Sequence, residues 1–159
     1  MKLVYYPDPA LTSKCEPITE FNEELHKTLD EMRTVMVQSN GIGLAANQVA
    51  ILKTMFIMQD RKGKIWDFIN PVIVSEDGVQ YEQEGCLSFP GVYLQIARAA
   101  SIVVKAQDRN GQEFQVVAEG IESVCILHEW EHIHSIIFID KVSRQQRRAA
   151  EAILKRRPK

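Results

Sequence analysis

The feature that most constrains this chain is the segment Leu127-His128-Glu129-Trp130-Glu131-His132, which has the form H-E-x-x-H within a helical pattern. On an α-helix, side chains four residues apart lie on one face, so His128 and His132 can direct two imidazoles at a single metal ion. Glu129 follows the first histidine and can reach a water molecule bound to that ion. Two neutral imidazoles beside a carboxylate supply the ligands and the base that metal-assisted hydrolysis needs. The alternative is an ordinary helix that carries two histidines.

Length and composition are those of a soluble globular protein. The chain has 159 residues, of which 45% are hydrophobic and 25% charged, and we expect one domain over residues 1–159. Apolar runs stay well below the roughly 20 residues that cross a bilayer, so no membrane association is expected. The N-terminal segment is broken by prolines and has no apolar signal core, and the three cysteines are an odd number, unlike a disulfide framework. We therefore expect a cytoplasmic protein in a reducing compartment.

Charge is unevenly distributed along the chain. The formal net charge is −2, yet the segment from Lys141 to Lys159 contains eight basic residues against one acidic residue, Glu151. A basic C-terminal segment suggests a polyanionic partner, most simply nucleic acid. A solvated helix end explains the same charges, and both interpretations remain open.

A second motif, Gly41-Ile42-Gly43-Leu44-Ala45-Ala46, matches the G-x-G-x-x-A pattern of dinucleotide-binding turns. Such a turn follows a strand and opens a helix, so that the helix N-terminus faces the pyrophosphate. Here the order is reversed, because a helical pattern precedes the motif and a strand-like run at 54–59 follows it. The sequence therefore favours a different interpretation of the motif. Its small residues let the backbone run close to another segment or a ligand, and Gln48 closes the turn.

Periodicity divides the rest of the chain into a helix, a β-rich middle and two further helices. Asn22 predicts a helix N-cap, and Asn40-Gly41 predicts the end of that helix. The middle segment alternates apolar runs with turn clusters and predicts strands at 54–59, 65–69, 71–75, 79–84, 101–107 and 113–118. Beyond it the pattern predicts the motif helix, a short strand and a closing helix, at 121–133, 136–139 and 143–155.

A catalytic metal site usually has three protein ligands and a water molecule, so the histidine pair needs a further ligand. Cys86 is the strongest candidate, because Gly85 relaxes the backbone before it and a strand end can present a thiolate. The alternative is that Cys86 is a small buried residue. Apolar residues earlier on the motif helix share the face of the two histidines, so the imidazoles are expected to point inward, whereas His134 should lie at the surface.

Three segments of the chain together resemble the signatures of the peptide deformylase family. Those signatures are a G-x-G-L-A-A-x-Q turn, an E-G-C-L-S segment and an H-E-x-D-H helix. The corresponding segments run from Gly41 to Gln48, from Glu84 to Ser88 and from His128 to His132, in the same order. The resemblance covers nearly the whole chain, from the proline-rich N-terminus to the final helix.

The resemblance implies an α+β fold with mixed, mainly antiparallel sheets wrapped around a central metal-binding helix, together with an N-terminal and a C-terminal helix. It implies that Cys86, His128 and His132 hold one divalent metal ion, with Fe(II) expected natively and Zn(II) or Ni(II) able to replace it. The ligand types alone allow zinc as readily as iron. The resemblance also implies the reaction, which is hydrolysis of the N-formyl group from the formyl-methionine end of nascent polypeptides with release of formate.

The roles of individual residues follow from the same resemblance. A metal ion lowers the pKa of its bound water, and Glu129 would take the proton and later pass it to the departing amine. The Gln48 side-chain amide and the Leu87 backbone N–H would stabilise negative charge on the formyl oxygen. The substrate backbone would pair with Ile42 and Gly85 as an added strand, and an apolar pocket would hold the methionine. The expected substrate-binding residues are Ile42, Gly43, Gly85, Ile121, Val124 and Cys125.

The chain departs from the family pattern beside the metal ligands. Glu131 replaces the usual aspartate before the second histidine, and its extra methylene is expected to shift a contact with Arg98. Such shifts can weaken a metal site by about 10- to 100-fold. A catalytically idle relative that binds metal or formyl-peptide is therefore an alternative. A zinc peptidase is another, but it would leave Cys86 and Gln48 without a role.

The family's cotranslational substrate suggests a role for the basic C-terminal segment. We expect this segment to contact ribosomal RNA near the point where nascent chains emerge. The protein itself is expected to act as a monomer.

Overall fold

Two antiparallel sheets enclose one helix in the computed structural model, which describes residues 1–156. The strands are β1 (Gly43–Ala45), β2 (Met55–Gln59), β3 (Ile65–Asp77), β4 (Gln80–Gly85), β5 (Tyr93–Arg98), β6 (Ser101–Gln107) and β7 (Glu113–Glu119). The larger sheet has the order β1-β2-β3-β6-β7, and β4 pairs with β5 in a separate two-stranded sheet. The α-helices of the described residues are α1 (Glu23–Gln38), α2 (Ile121–His132) and α3 (Arg144–Lys155). The predicted α+β class with mainly antiparallel sheets is confirmed.

The central helix is α2, which carries the H-E-x-x-H motif. It contacts β1, β2 and β7 of the larger sheet and β5 of the smaller one. Ile126 and Leu127 pack into a core that includes Phe56 and Phe68 of the larger sheet. Because α2 is covered by both sheets, most of its polar side chains are buried too and need polar partners.

The outer helices α1 and α3 begin where the sequence predicts them. Asn22 caps α1 by accepting a hydrogen bond from the Leu25 N–H at 3.0 Å, and the buried face of α1 packs against β1 and β2. Ser143 caps α3 by accepting from the Gln146 N–H at 3.2 Å. Two basic residues of the predicted C-terminal segment, Arg157 and Lys159, lie outside the described residues. None of the helices described here is long and apolar enough to cross a membrane.

The strand β3 is one continuous element where the sequence predicts two. Asn70 adopts a left-handed conformation with φ of 51°, and the pairing of β3 with β6 shifts register between Ile69 and Val72. Pro71 lies inside this irregularity. Its lack of a backbone N–H therefore interrupts no regular hydrogen bonding between the strands. The gap predicted between the strands at 65–69 and 71–75 is therefore a bulge within one strand.

Three further segments differ from the prediction. β1 lies within the motif that the sequence predicts only as a turn of small residues. β5 was not predicted, although its residues alternate between exposed and buried along the whole strand. The strand predicted at Ile136–Ile139 is wrong, because a short 3₁₀ helix occupies Phe138–Lys141. Asp140 closes this turn by accepting from the Ile137 N–H at 3.1 Å, and Phe138 and Ile139 are both buried. Four consecutive apolar residues do not by themselves distinguish a strand from a buried helical turn.

Candidate active site

Three potential metal-binding atoms converge between the two sheets. Cys86 follows the last residue of β4, and His128 and His132 lie one turn apart on α2. Their donor atoms all lie within 4.8 Å of one another. The two Nε2 atoms are 3.2 Å apart, and the Cys86 Sγ is 3.3 Å from the His132 Nε2. Residues separated by more than 40 positions in the chain are thus brought to one point.

The spacing of these atoms fits a small divalent cation. Donors placed tetrahedrally at about 2.1 Å for nitrogen and 2.3 Å for sulfur are separated from one another by roughly 3.4 to 3.6 Å. One thiolate with two imidazoles suits zinc and divalent iron or nickel better than magnesium or calcium. Burial lowers the pKa of His132 well below its usual value, and the positive charges of His128 and Arg98 reinforce this effect. The imidazole of His132 is therefore neutral, which is the form that binds a metal ion.

A buried carboxylate orients the first histidine. The Nδ1–H of His128 donates to Glu84 at 2.9 Å, so its Nε2 is directed at Cys86 and His132. Burial alone would raise the pKa of Glu84, but hydrogen bonds from His128 and Arg98 lower it overall. Glu84 is thus an ionised acceptor that fixes the tautomer and the direction of the His128 ring.

Glu129 is buried beside this cluster, and its Oε1 has no hydrogen-bond partner among the described residues. Burial raises the pKa of Glu129 to about 7. The charge of His128 opposes this shift, and the negative charge of Glu84 adds to it. A buried carboxylate oxygen without a protein donor is suited to receive a proton from a bound molecule. A carboxylate that titrates near neutrality can both accept and return a proton.

Two hydrogen-bond donors lie next to Cys86. The Oε1 of Gln48 accepts from the Ala45 N–H at 2.9 Å, so its Nε2 faces the Cys86 Sγ at 3.5 Å and the Ser88 Oγ at 3.1 Å. The Leu87 N–H has no acceptor in the described part of the chain. Gln48 is almost fully buried, which fixes the position of its amide.

A cleft of about 630 Å³ opens onto the cluster. Its lining includes Gln48, Cys86, Leu87, His128 and Glu129, whereas His132 lies deeper and is not part of the cleft surface. All the expected substrate-binding residues also line the cleft: Ile42, Gly43, Gly85, Ile121, Val124 and Cys125.

The strand β1 forms one edge of the larger sheet and borders the cleft. The carbonyl of Ile42 accepts from the Gln59 N–H at 2.8 Å and therefore faces β2. Because backbone groups alternate in direction along an antiparallel strand, those of Gly43 face the free edge. Gly43, rather than the Ile42 carbonyl, thus offers the unpaired backbone groups to an added strand.

The family model for polypeptide deformylases matches residues 1–148. This chain belongs to the polypeptide deformylase family. A peptide deformylase 1 of Shewanella oneidensis is 40% identical to it over 161 aligned positions, which cover 100% of this chain and 96% of that relative. A peptide deformylase of Chromobacterium violaceum is 36% identical with the same coverage.

Solved deformylase structures have the same fold. A peptide deformylase from Legionella pneumophila matches with a TM-score of 0.90 at 33% identity, covering 99% of this chain and 98% of the other. A peptide deformylase from Synechococcus elongatus in complex with actinonin matches with a TM-score of 0.91 at 34% identity, covering 97% and 87%. The described elements therefore have the arrangement of the deformylase fold.

Glu131, the residue that departs from the deformylase pattern, keeps an ordered environment. Its expected contact with Arg98 is present, and its second oxygen accepts from the Lys141 Nζ at 2.6 Å. His134 lies at the surface, as expected, where its ring stacks on Trp130 and its Nδ1–H donates to the Trp130 carbonyl. It takes no part in the donor cluster.

Sequence reasoning missed two polar residues around the deformylase site. Asn47 is fully buried and donates from Nδ2 to the His132 carbonyl at 2.6 Å, which joins the glycine motif to the end of α2. Its only sequence signal is a polar amide within a run of small apolar residues. Lys141, which contacts Glu131, carries no signal beyond its membership of a basic segment.

Proposed function

We propose that this protein is a metal-dependent peptide deformylase, which removes the N-formyl group from the formyl-methionine end of nascent polypeptides and releases formate. The observation that carries this proposal is the convergence of Cys86, His128 and His132 beside the buried carboxylate of Glu129. Membership of the deformylase family supports the same reaction.

In this proposal Cys86, His128 and His132 hold one divalent ion, natively Fe(II), and the same donors accept Zn(II) or Ni(II). When bound, the ion supplies Lewis-acid chemistry, because it polarises the formyl carbonyl and lowers the pKa of a water molecule. Glu84 supports the site by fixing the Nδ1–H of His128 at 2.9 Å.

Glu129 acts as the base in this proposal. Its unpartnered Oε1 takes the proton of the attacking water, and the resulting acid delivers that proton to the departing amine. Burial raises the pKa of Glu129, which makes its carboxylate a better proton acceptor than an exposed one. Burial also keeps bulk water from competing for the carboxylate.

Gln48 and Leu87 stabilise the negative charge that develops on the formyl oxygen. The Gln48 Nε2 already points towards the Cys86 sulfur at 3.5 Å, since the Ala45 N–H fixes the other end of the amide. The Leu87 N–H is the second donor. Each such donor is typically worth about 3 kcal/mol of transition-state stabilisation.

The substrate enters as an extended strand along the cleft. Its backbone pairs with Gly43 at the free edge of β1 and with Gly85 at the end of β4. The methionine side chain lies against a wall of apolar residues, for which a flexible thioether is well suited. That wall is formed by Ile42, Ile121, Val124 and Cys125.

The cellular context is part of the same proposal. The protein acts as a cytoplasmic monomer that meets its substrate during translation. The exposed basic residues of α3, among them Arg144 and Arg148, contact ribosomal RNA near the emerging chain. Their charge and the cotranslational substrate support this contact.

The decisive test is formate release from formyl-Met-Ala by protein loaded with Fe(II) under anaerobic conditions or with Ni(II). We expect turnover with one metal ion per chain. Metal binding without formate release would identify an idle relative. Internal cleavage of unformylated peptides would instead identify a zinc peptidase.

A further inference from the structure

Behind the proposed metal ligands, Arg98 lies between two buried carboxylates. Its Nε and Nη2 donate to Glu84 at 2.8 and 2.9 Å, and its Nη1 donates to Glu131. Glu84 in turn accepts from the His128 Nδ1–H at 2.9 Å. The second oxygen of Glu131 accepts from the Lys141 Nζ at 2.6 Å. A series of direct polar contacts therefore connects Lys141 with His128, which is a metal ligand in the proposed function.

Lys141 supplies the second permanent cation of this group, through its contact with Glu131. Glu84 and Glu131 carry two negative charges, and Arg98 carries one positive charge. The side chains of these three residues are between 3% and 10% exposed, whereas that of Lys141 is 36% exposed and reaches the group from the surface. A buried ionic group that loses one of its counter-charges is strongly destabilised unless the remaining side chains rearrange.

We propose that Lys141 is a positioning residue for the metal centre. It keeps the Glu131 carboxylate on Arg98, and Arg98 keeps Glu84 on the Nδ1–H of His128. The Glu84 contact orients the His128 ring and strengthens its Nε2 as a ligand, so loss of Lys141 weakens retention of the ion. This inference rests on the proposed function, because it requires His128 to bind the metal.

The length of Glu131 is matched to the position of Lys141. Lys141 ends the short 3₁₀ helix Phe138–Lys141, which packs against β5, the strand that carries Arg98. Removal of one methylene at position 131 would withdraw the carboxylate by about 1.5 Å. With Arg98 and Lys141 held where they are, this shift would lengthen the 2.6 Å contact with Lys141 beyond hydrogen-bond distance, so the lysine contact depends on the glutamate.

The experiment measures release of Ni(II) from loaded protein to an excess of chelator. We expect Lys141→Met to release nickel roughly 10-fold faster than the unsubstituted protein, and Lys141→Arg to stay within about threefold of it. Lys27→Met removes an exposed lysine of α1 and serves as the charge-matched control, with unchanged release. Leu29→Ala lowers stability in a core cluster that contains none of the proposed metal ligands and controls for general destabilisation, again with unchanged release.

A double-variant comparison tests the route through Glu131. In protein that already carries Glu131→Asp, the further change Lys141→Met should accelerate release by less than about twofold, since the two residues act through one contact. A full additional effect would overturn the proposed route.

The outcomes separate this inference from the function on which it rests. Failure of the unsubstituted protein to bind nickel would overturn the proposed function as well. Normal binding with unchanged release from Lys141→Met would overturn only the role of Lys141. Equal acceleration by Leu29→Ala would do the same, because the effect would then follow from stability alone.

Discussion

Substitution of Gly43 by alanine tests whether the position of Glu129 controls the rate. Gly43 lies in the extended strand β1, so alanine is compatible with its backbone conformation. An added Cβ would lie 2.7 Å from the Cys125 Sγ and 3.0 Å from the Glu129 Oε2. The perturbation is therefore steric and is directed at the proposed base and at the wall of the methionine pocket.

The magnitude follows from these distances. Non-bonded atoms prefer separations of about 3.5 to 4.0 Å, so the carboxylate must retreat by roughly 0.5 to 1 Å and the sulfur by roughly 0.8 to 1.3 Å. Misplacement of a catalytic group by about 1 Å can reduce the rate on the order of 100-fold. That factor corresponds to about 2.7 kcal/mol in activation free energy. We expect kcat to fall by this amount in Gly43→Ala while the metal content stays unchanged.

The assay is formate release from formyl-Met-Ala, with nickel content measured on the same preparations. Gly41→Ala is the matched control in the same motif, because its added Cβ would meet the Leu87 Cδ1 at 2.7 Å. That atom is the end of a flexible side chain and can move without displacing the Leu87 N–H. We expect Gly41→Ala to lose less than about 10-fold in kcat. Near-normal kcat in folded, nickel-loaded Gly43→Ala would refute the reasoning.

Four further variants test separate parts of the structure. Glu129→Ala should retain metal but lose about 10² to 10⁴ in kcat, and similar turnover would reject Glu129 as the base. Gln48→Ala should lower kcat by roughly 100-fold at constant metal content, whereas an effect on KM alone would contradict its oxyanion role. Leu29 is fully buried on α1, so Leu29→Ala should lower the free energy of unfolding in urea by about 2 to 5 kcal/mol, and an unchanged midpoint would place it outside the core. Arg144→Glu with Arg148→Glu should reduce co-sedimentation with ribosomes but preserve formate release, and equal pelleting would remove the proposed contact.

Local patterns were sufficient to predict the helices and most strands. The spacing of apolar residues and the Asn22 cap defined α1, and the turn clusters separated most of the strands. β5 was missed because its alternation follows Pro90-Gly91 without a strong β-forming run. The strand expected at Ile136–Ile139 was wrong for a different reason. Its apolar residues are buried by tertiary contacts around a 3₁₀ turn, and an apolar run alone does not distinguish such a turn from a strand.

The candidate site could be predicted only where its residues belong to motifs. His128 and Glu129 are identified by helical spacing, and Cys86 by its glycine-flanked segment together with the family resemblance. Contacts made by single residues across the fold have no local signature, as for Asn47 with the His132 carbonyl. Such contacts depend on how two distant elements approach, and chain periodicity contains no information about that distance.

The two-sheet architecture gives a physical reason for the effect on metal retention that we propose for the ionic group behind the site. α2 is packed into the core of the larger sheet, whereas Cys86 follows β4 of the smaller one. The relative position of the sulfur and the imidazoles therefore depends on contacts between α2 and the smaller sheet. Glu84 with His128 and Arg98 with Glu131 are two such contacts, and both are buried. A metal ion that binds all three donors adds a further link between the same elements, so its binding free energy also stabilises the approach of the two sheets.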